Sequence, residues 1–330
     1  MTLVVDIFRR LLPARARPNP SGWTSFNAPC CQHRGHKPDT RKRAGVRFDT
    51  GVVYNCFNCK FTASWQPGRG LSERFKNLCR WLGAADDDIN AMMFEAMRTE
   101  AVDYEHRVEE HVDFAAKALP EDTVPLLEAI GSNPNDAVPV AEYLLSRSFD
   151  LTAFDYRWSP ELADRVLIPF TYKGQIVGWT ARKIRDGRPK YLSDQHPHFV
   201  FNVDSQREDQ RYIFVLEGPF DAISLGGVAL LTNDVAEQQS RIITGLGHHV
   251  IVVPDQDRAG LVLVDRAIEN GWSVAFPSWE DDVKDAAEAV ARYGRLFVTV
   301  DCIMTAVTGE IKLTLARQQL EAKIKRLEDD

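Results

Sequence analysis

The sequence predicts an α/β protein: a mainly parallel sheet in the second half, a basic antiparallel segment before it, and a small metal-organised module at the N-terminus. Three observations lead there. Two apolar runs, VLEGPFDA at 215–222 and VIVVPDQDRAG at 250–260, each stop abruptly at acidic residues, and apolar β-branched runs bounded by turn residues read as buried strands. Residues 165–193 alternate around a Lys173-Gly174 turn, as a β-hairpin or meander does. Four cysteines and two histidines crowd into residues 30–59. The 330 residues suit two domains and a linker.

In chain order, the N-terminal module comes first. Cys30 and His33 are separated by two residues, as are Cys56 and Cys59. Two such pairs are the usual way to build a tetrahedral zinc site. Between them Val46 and Phe48 alternate, Asp49-Thr50-Gly51 turns, and Val52, Val53 and Tyr54 follow, the outline of a zinc ribbon. Cys30, His33, Cys56 and Cys59 are the expected ligands of one structural zinc, with Cys31 and His36 close enough to replace one of them. No secretory apolar region precedes the cysteines, so a cytoplasmic, reducing setting is expected and disulfides are not. Cys79 and Cys302 stand apart and suit small buried apolar positions.

The net charge of −7 argues against a nucleic-acid partner only until its distribution is read. Up to Arg80 there are fifteen Lys and Arg against four Asp and Glu. Arg9, Arg10, Arg15, Arg17, Arg34, Lys37, Arg41, Lys42 and Arg43 belong to this basic part, which suits phosphate contacts. Phe48, Tyr54, Phe57, Phe61 and Trp65 interleave with it. Some could stack on single-stranded bases, while most are expected in the core of the small module. Residues 1–83 are therefore expected to be a zinc-ribbon DNA-binding domain. From 86 to 128, thirteen acidic residues stand against three basic ones, and 84–135 reads as an acidic linker with solvated helices.

Residues 136–210 are expected to form a basic subdomain. AEYLLSRSF at 141–149 reads as an amphipathic helix with Leu144, Leu145 and Phe149 inward. RVLIPF, QIVGWTARKI and PKYLS then read as strands carrying Arg165, Arg182, Lys183, Arg185, Arg188 and Lys190. In 211–300 the strand ends place Glu217, Asp255 and Asp257 together, since ligands of open parallel sheets bind beyond the carboxyl ends of the strands. Gathered carboxylates repel unless a cation lies between them, and Mg²⁺ is the hard cation usually shared with substrate phosphates. A crossover helix is expected over 260–270 and a strand over 272–276. In 301–330, IKLTLARQQLEAKIKRL is helical, with Leu313, Leu315, Leu320, Ile324 and Leu327 near one face. It either docks on a partner or packs on its own domain.

The patterns E-G-x-x-D (Glu217, Gly218, Asp221) and D-x-D-x-x-G (Asp255, Asp257, Gly260) resemble the Toprim domain of primases, topoisomerases and some nucleases. WEDDVKD at 279–285 is similar to the acidic K-D-x-N-D or K-D-x-x-E element that follows in primases, with Asp282 and Asp285 at the acidic positions and Asp281 where that alignment expects lysine. R-x-x-x-P-F, G-x-x-x-G-W-x-A-R and P-K-Y-L resemble the basic subdomain that precedes Toprim in the bacterial and phage (DnaG-type) DNA primase family. C-x-x-H with C-x-x-C is similar to that family's zinc-binding domain, and CFNCKFTA to the stand-alone primases of T-even-type phages. The resemblance runs through zinc module, basic subdomain and Toprim in that order.

The resemblance implies a DNA primase, a nucleotidyltransferase that joins nucleoside triphosphates into a short RNA primer on single-stranded DNA. Glu217, Asp255 and Asp257 would be catalytic. Together with Asp282 they would hold Mg²⁺ or Mn²⁺, and Glu217 would either ligate metal or accept the hydroxyl proton. Arg165, Arg182, Lys183, Lys190 and Tyr191 would bind template and nucleotide phosphates. No P-loop pattern appears, so a separate replicative helicase is the expected partner, and no apolar run suits a membrane. Two other readings remain from the residues: a Toprim-type metal-dependent nuclease, and a non-catalytic single-strand-binding adaptor.

Overall fold

The structure is a computed structural model that describes residues 2–14, 16–48, 51–67, 69–103, 113–232 and 234–329. Arg15 and the turn residues Asp49 and Thr50 lie outside the described residues. The chain divides into two compact units.

The N-terminal unit is built from α1 (Leu3–Leu11), β1 (Thr24–Phe26), α2 (Cys30–His33), β2 (Ala44–Arg47), β3 (Val52–Cys56), β4 (Thr62–Trp65), α3 (Glu73–Trp81) and α4 (Asp86–Asp103). Its strands form one antiparallel sheet in the order β1-β2-β3-β4. The strand–turn–strand read from the sequence is β2 and β3, paired from Ala44 opposite Cys56 to Arg47 opposite Val53. Val52, Tyr54 and Cys56 alternate inward along β3, which buries one face as the period of two requires. Tyr54, Phe61 and Trp65 are core residues, and of the aromatic side chains considered for base stacking Phe57 alone is strongly exposed, at 65%.

Asp39 fastens the connection between the cysteine pairs. Its buried carboxylate accepts hydrogen bonds from the backbone N–H groups of Ala28, Arg41 and Arg43 and from Arg43 Nε, at 2.7–3.0 Å. Burial by itself would raise its pKa, but these four donors outweigh it and hold the carboxyl well below the usual carboxylate range. Arg43 also donates to Asn58, and Arg34 to the Cys59 carbonyl. Both arginines, expected to face phosphate, are thus occupied within the module, whereas Lys37, Arg41 and Lys42 are exposed.

The described parts of the expected acidic linker 84–135 pack into the cores of the two units, and residues 104–112 lie outside the described residues. Ile89, Met92 and Ala96 of α4 are buried, a stripe at helical spacing, and α4 packs on α1. Asp86, Asp87 and Asp88 occupy its first turn, where the helix dipole favours negative charge. The acidic composition hid this apolar stripe. Farther on, Phe114, Leu126 and Ala129 enter the core of the second unit.

That second unit contains β5 (Val124–Pro125), α5 (Leu126–Ser132), α6 (Pro134–Ser146), β6 (Arg157–Trp158), β7 (Arg165–Tyr172), β8 (Gln175–Lys183) and β9 (Tyr191–Asp194), with an antiparallel sheet ordered β5-β6-β7-β8-β9. The β7–β8 hairpin turns at Lys173 and Gly174, both with positive φ (51° and 75°), as a two-residue hairpin turn requires. Leu144 and Phe149 are buried as read from the sequence, but Leu145 is 56% exposed. A helical stripe cannot turn two adjacent residues equally inward, since neighbours on a helix lie about 100° apart.

The chain continues through β10 (Tyr212–Leu216), α7 (Pro219–Leu225), β11 (Val228–Ala229), α8 (Glu237–Gly245), β12 (His249–Val252), α9 (Arg258–Asn270), β13 (Ser273–Ala275), α10 (Ala286–Tyr293), α11 (Arg295–Met304), β14 (Ala306–Val307) and α12 (Glu310–Asp329). The sheet order is β11-β10-β12-β13-β14, parallel except for β14 at one edge. The two apolar runs of the sequence are β10 and β12, which lie side by side. In α12, Leu313, Leu320 and Ile324 are buried with the sheet's own core, while Leu315 is 57% exposed. This helix packs on its own domain. Cys79 and Cys302 are buried, and burial pushes both thiols up to about 12.

Asp39→Asn is expected to lower the stability of the N-terminal unit by about 1–3 kcal/mol at pH 7, because it leaves buried backbone donors poorly satisfied. The native carboxyl is depressed below its unfolded value of about 3.9, so its contribution is present above that value and fades as pH falls below it. Thermal melts of both proteins between pH 7 and pH 2 should show a constant gap down to about pH 4 and a narrowing one below it; a gap that stays constant to the acid end would contradict this role.

Candidate functional site

Glu217 directly follows β10, and Asp255 stands three residues beyond the end of β12. Parallel pairing of these neighbouring strands, with Val215 opposite Val252, brings both acids to one edge. Two helices add to them. Asp221, in the first turn of α7, is buried and accepts from the Ala287 N–H at 3.0 Å. Asp285 caps α10, its Oδ1 accepting from the Glu288 N–H at 2.8 Å. Gly260 lets α9 start close to Asp255, because a Cβ there would lie 2.0 Å from the Asp255 carbonyl oxygen.

The acids lack sufficient counter-charge. Burial first, then the charges of Asp257 and Asp221, push the Glu217 carboxyl up to about 7. Burial and the neighbouring carboxylates, Asp221 first, push Asp255 up to about 9. Asp221 is raised to about 7 by burial and Asp285, against the Ala287 N–H and Arg147. Glu217 Oε1 is buried with no hydrogen-bond partner. An orphaned carboxylate oxygen among like charges fits a divalent cation, which would supply the missing ligand and charge together.

These acids form one wall of a cleft of about 450 Å³ whose other wall comes from the antiparallel sheet: Thr180 and Arg182 of β8, with Lys190, Tyr191 and Ser193. Arg182 donates to the hydroxyls of Tyr143 and Tyr191 and lies over the rings of Tyr191 and Phe220 at 5.2 and 5.3 Å. The cleft is thus acidic on one side and cationic on the other, the arrangement that suits a metal-bound polyphosphate.

Several expected site residues sit elsewhere. Arg165 is buried, and its Nη atoms donate to the carbonyls of Ala181, Lys190 and Pro189 at 2.9–3.3 Å, so it braces β8 and the Pro189–Lys190 segment rather than lining the cleft. Lys183 pairs with Asp164 at 3.2 Å and does not line it either. Asp257 is exposed, and its Oδ1 accepts from the Ala259 and Gly260 N–H groups; it acts on Glu217 and Asp255 through its field. Asp282 forms a two-pronged pair with Arg292, at 2.6 Å on each side. The cleft takes Asp285 instead of Asp282. The sequence carried the signal: Lys284-Asp285-x-x-Glu288 spells the K-D-x-x-E element, three residues beyond the register chosen on Asp281 and Asp282.

The cysteine centre also differs by one ligand. Among the described residues, Cys30, Cys31, Cys56 and Cys59 are the one group of three or more possible ligands whose donor atoms all lie within 4.8 Å. The Sγ atoms are 3.4 Å apart for Cys30 and Cys59 and 3.6 Å for Cys31 and Cys56. His33 is exposed and stacks on Trp81, with ring centroids 5.0 Å apart and planes 10° from parallel. The aromatic partner draws the imidazole aside, and the buried Cys31 thiol takes the fourth corner. Burial raises the Cys31 thiol to about 11, opposed by the Asn58 amide. Hydrogen bonds from Cys30 and Cys56 hold Cys59 below the thiol range. Four crowded thiols share their protons in this way unless a cation takes their place, and a closed four-sulfur set suits structural zinc.

No family model matches the chain. Among curated proteins it is similar to a DNA primase of Listeria monocytogenes, 28% identical over 159 residues, covering 40% of this chain and 25% of that protein. It is also similar to a DNA primase of Haemophilus influenzae, 26% identical over 187 residues, covering 52% of this chain and 29% of that protein. The chain therefore matches about a quarter of the length of these relatives. Among solved structures, similarity is found to the zinc-binding and RNA polymerase domains of the Aquifex aeolicus primase, at 18% identity and a TM-score of 0.46, covering 97% of this chain and 87% of that one. A DnaG primase catalytic domain bound to single-stranded DNA matches at 16% identity and a TM-score of 0.44, over 61% of this chain and 95% of that one.

Two outcomes test these assignments. Cys31→Ser should lose bound zinc in a metal analysis of the purified protein while His33→Ala retains it; the reverse pattern would restore the histidine. Asp255→Asn should stabilise the metal-free protein at pH 7 by more than about 1 kcal/mol, since it removes a carboxyl that burial and like charges disfavour. An unchanged or lower melting temperature in chelator would contradict the reading of uncompensated charge.

Proposed function

We propose that this chain is a DNA primase, synthesising short RNA primers from nucleoside triphosphates on single-stranded DNA during replication. One observation carries the proposal: a single cleft with Glu217, Asp221, Asp255 and Asp285 on one wall and Arg182, Lys190 and Tyr191 on the other. The stand-alone phage type is the finer form of the reading and rests on CFNCKFTA.

When bound, Mg²⁺ or Mn²⁺ would supply charge neutralisation for the displacement. Glu217, Asp255 and Asp285 are the residues that would hold it, with Asp257 adding negative field from the rim. Arg182 and Lys190 orient the triphosphate from the opposite wall, Arg as a planar fork and Lys as a point charge. Phosphoryl transfer depends chiefly on such positioning and on charge stabilisation. A 3′-hydroxyl attacks the α-phosphorus, the bond to the bridging oxygen breaks, pyrophosphate leaves, and the hydroxyl proton passes to a base such as Glu217 or water.

One structural zinc on the four cysteines would hold the N-terminal module. Its exposed Lys37, Arg41, Lys42 and Phe57 suit contacts to the phosphates and bases of a single-stranded template. The primer–template hybrid would leave by the same basic surfaces, and a separate replicative helicase would deliver the strand. No described helix is long and apolar enough to cross a membrane.

The decisive assay incubates the protein with single-stranded DNA, labelled ribonucleoside triphosphates and Mg²⁺. Wild type should make short RNA. Glu217→Gln and Asp285→Asn should each lose at least about a hundredfold, the scale of removing one group from a charge-stabilising site. Asp282→Ala should stay near wild type. DNA cleavage without RNA would favour a metal-dependent nuclease, and neither product, with DNA binding retained, would favour an adaptor.

A further inference from the structure

Tyr143 lies on α6, half-buried behind the cationic wall of the cleft. Its hydroxyl oxygen accepts from Arg182 Nε on one side and from Arg147 Nη1, at 3.1 Å, on the other. A phenol oxygen has two lone pairs, and here both meet guanidinium groups. The ring itself lies under both cations, each 5.9 Å from its centroid. Arg147 is further fixed over Phe149 and Phe220 and sits in the field of Asp285 and Asp221, so it is a firm anchor.

Tyr191 completes the arrangement by accepting from Arg182 Nη1. Two hydroxyls therefore hold two edges of the Arg182 guanidinium. Its Nη2 donors make no protein hydrogen bond among the described residues and belong to the group that lines the cleft. An arginine side chain left loose would lose rotamer freedom on binding; one clamped in advance would not.

We infer that Tyr143 is a positioning residue whose hydroxyl, bridging Arg147 and Arg182, pre-sets Arg182 for the phosphates of the nucleotide. The inference rests on the proposed primase reading. Tyr143 does not touch the substrate itself. Its whole effect passes through Arg182, so removing the hydroxyl from a protein that already lacks the Arg182 guanidinium changes nothing further.

That consequence gives the test, a double-mutant cycle. Wild type, Tyr143→Phe, Arg182→Gln and the double variant are compared by equilibrium binding of Mn²⁺-ATP and by KM and kcat for ATP in RNA synthesis. Tyr143→Phe keeps the ring under both cations and should weaken ATP binding and raise KM about five- to tenfold, the scale of one ordinary hydrogen bond, with kcat and melting temperature nearly unchanged. The double variant should match Arg182→Gln alone. Unchanged affinity in Tyr143→Phe, or a full additional loss in the double variant, would overturn the inference. Wild-type protein that binds ATP but makes no RNA would overturn the primase reading alone, with the cycle still read from the dissociation constants. Wild-type protein that binds no ATP would overturn both.

Discussion

Four carboxylates converge where the parallel strands end, and most of what surrounds them follows from the cost of that crowding. Glu217 and Asp255 meet because β10 and β12 are adjacent and parallel. Asp221 and Asp285 meet them because α7 and α10 pack together with the Ala287 N–H donating to Asp221. A buried carboxylate is tolerated when donors or cations compensate it. The protein compensates part of the charge: a backbone N–H for Asp221, a helix N-terminus for Asp285, and the nearby Arg147. Glu217 Oε1 receives nothing. The remaining deficit is what a bound cation, carrying an anion large enough to reach the opposite wall, would offset.

That opposite wall is prepared by a different kind of interaction. Arg182 lies against aromatic faces and phenol oxygens rather than against carboxylates. Had it been paired with an acid, its charge would be spent. Stacking on rings fixes direction while leaving the positive field available to a ligand. Arg165, by contrast, gives its donors to backbone carbonyls and becomes part of the frame. Identical residue types on the same hairpin thus do separate work according to what surrounds each guanidinium.

The N-terminal unit obeys a related constraint at small scale. A core built from a four-stranded sheet and short helices gains little from burial alone, and small scaffolds commonly add a metal. Here Cys30, Cys31, Cys56 and Cys59 meet at the sheet's end, and Asp39 ties down the loop that carries the first pair. The apolar stripe of Ile89, Met92 and Ala96 extends the same core through α4. This is how a helix with so acidic a start is held: Asp86, Asp87 and Asp88 occupy its first turn while the apolar stripe faces the core.

The parts legible from the sequence were those set by local pattern. Apolar runs ending in acids gave β10 and β12 and, with them, Glu217 and Asp255. Alternation about Lys173-Gly174 gave the β7–β8 hairpin, and close cysteine spacing gave a sulfur cluster able to hold a metal. Such signals rest on periodicity and turn chemistry, which neighbouring residues carry among themselves. What the sequence left open or misplaced were choices among similar side chains a few residues apart: Cys31 over His33, Asp285 over Asp282, Arg182 over Arg165. Each depends on partners distant in the chain. Trp81 draws His33 away, Arg292 captures Asp282, and the carbonyls of Pro189 and Lys190 occupy Arg165. Local sequence determined which kinds of groups are present and on which elements; only tertiary packing decided which of them remained unpaired, because a charge is available to a ligand only where the rest of the fold has not already satisfied it.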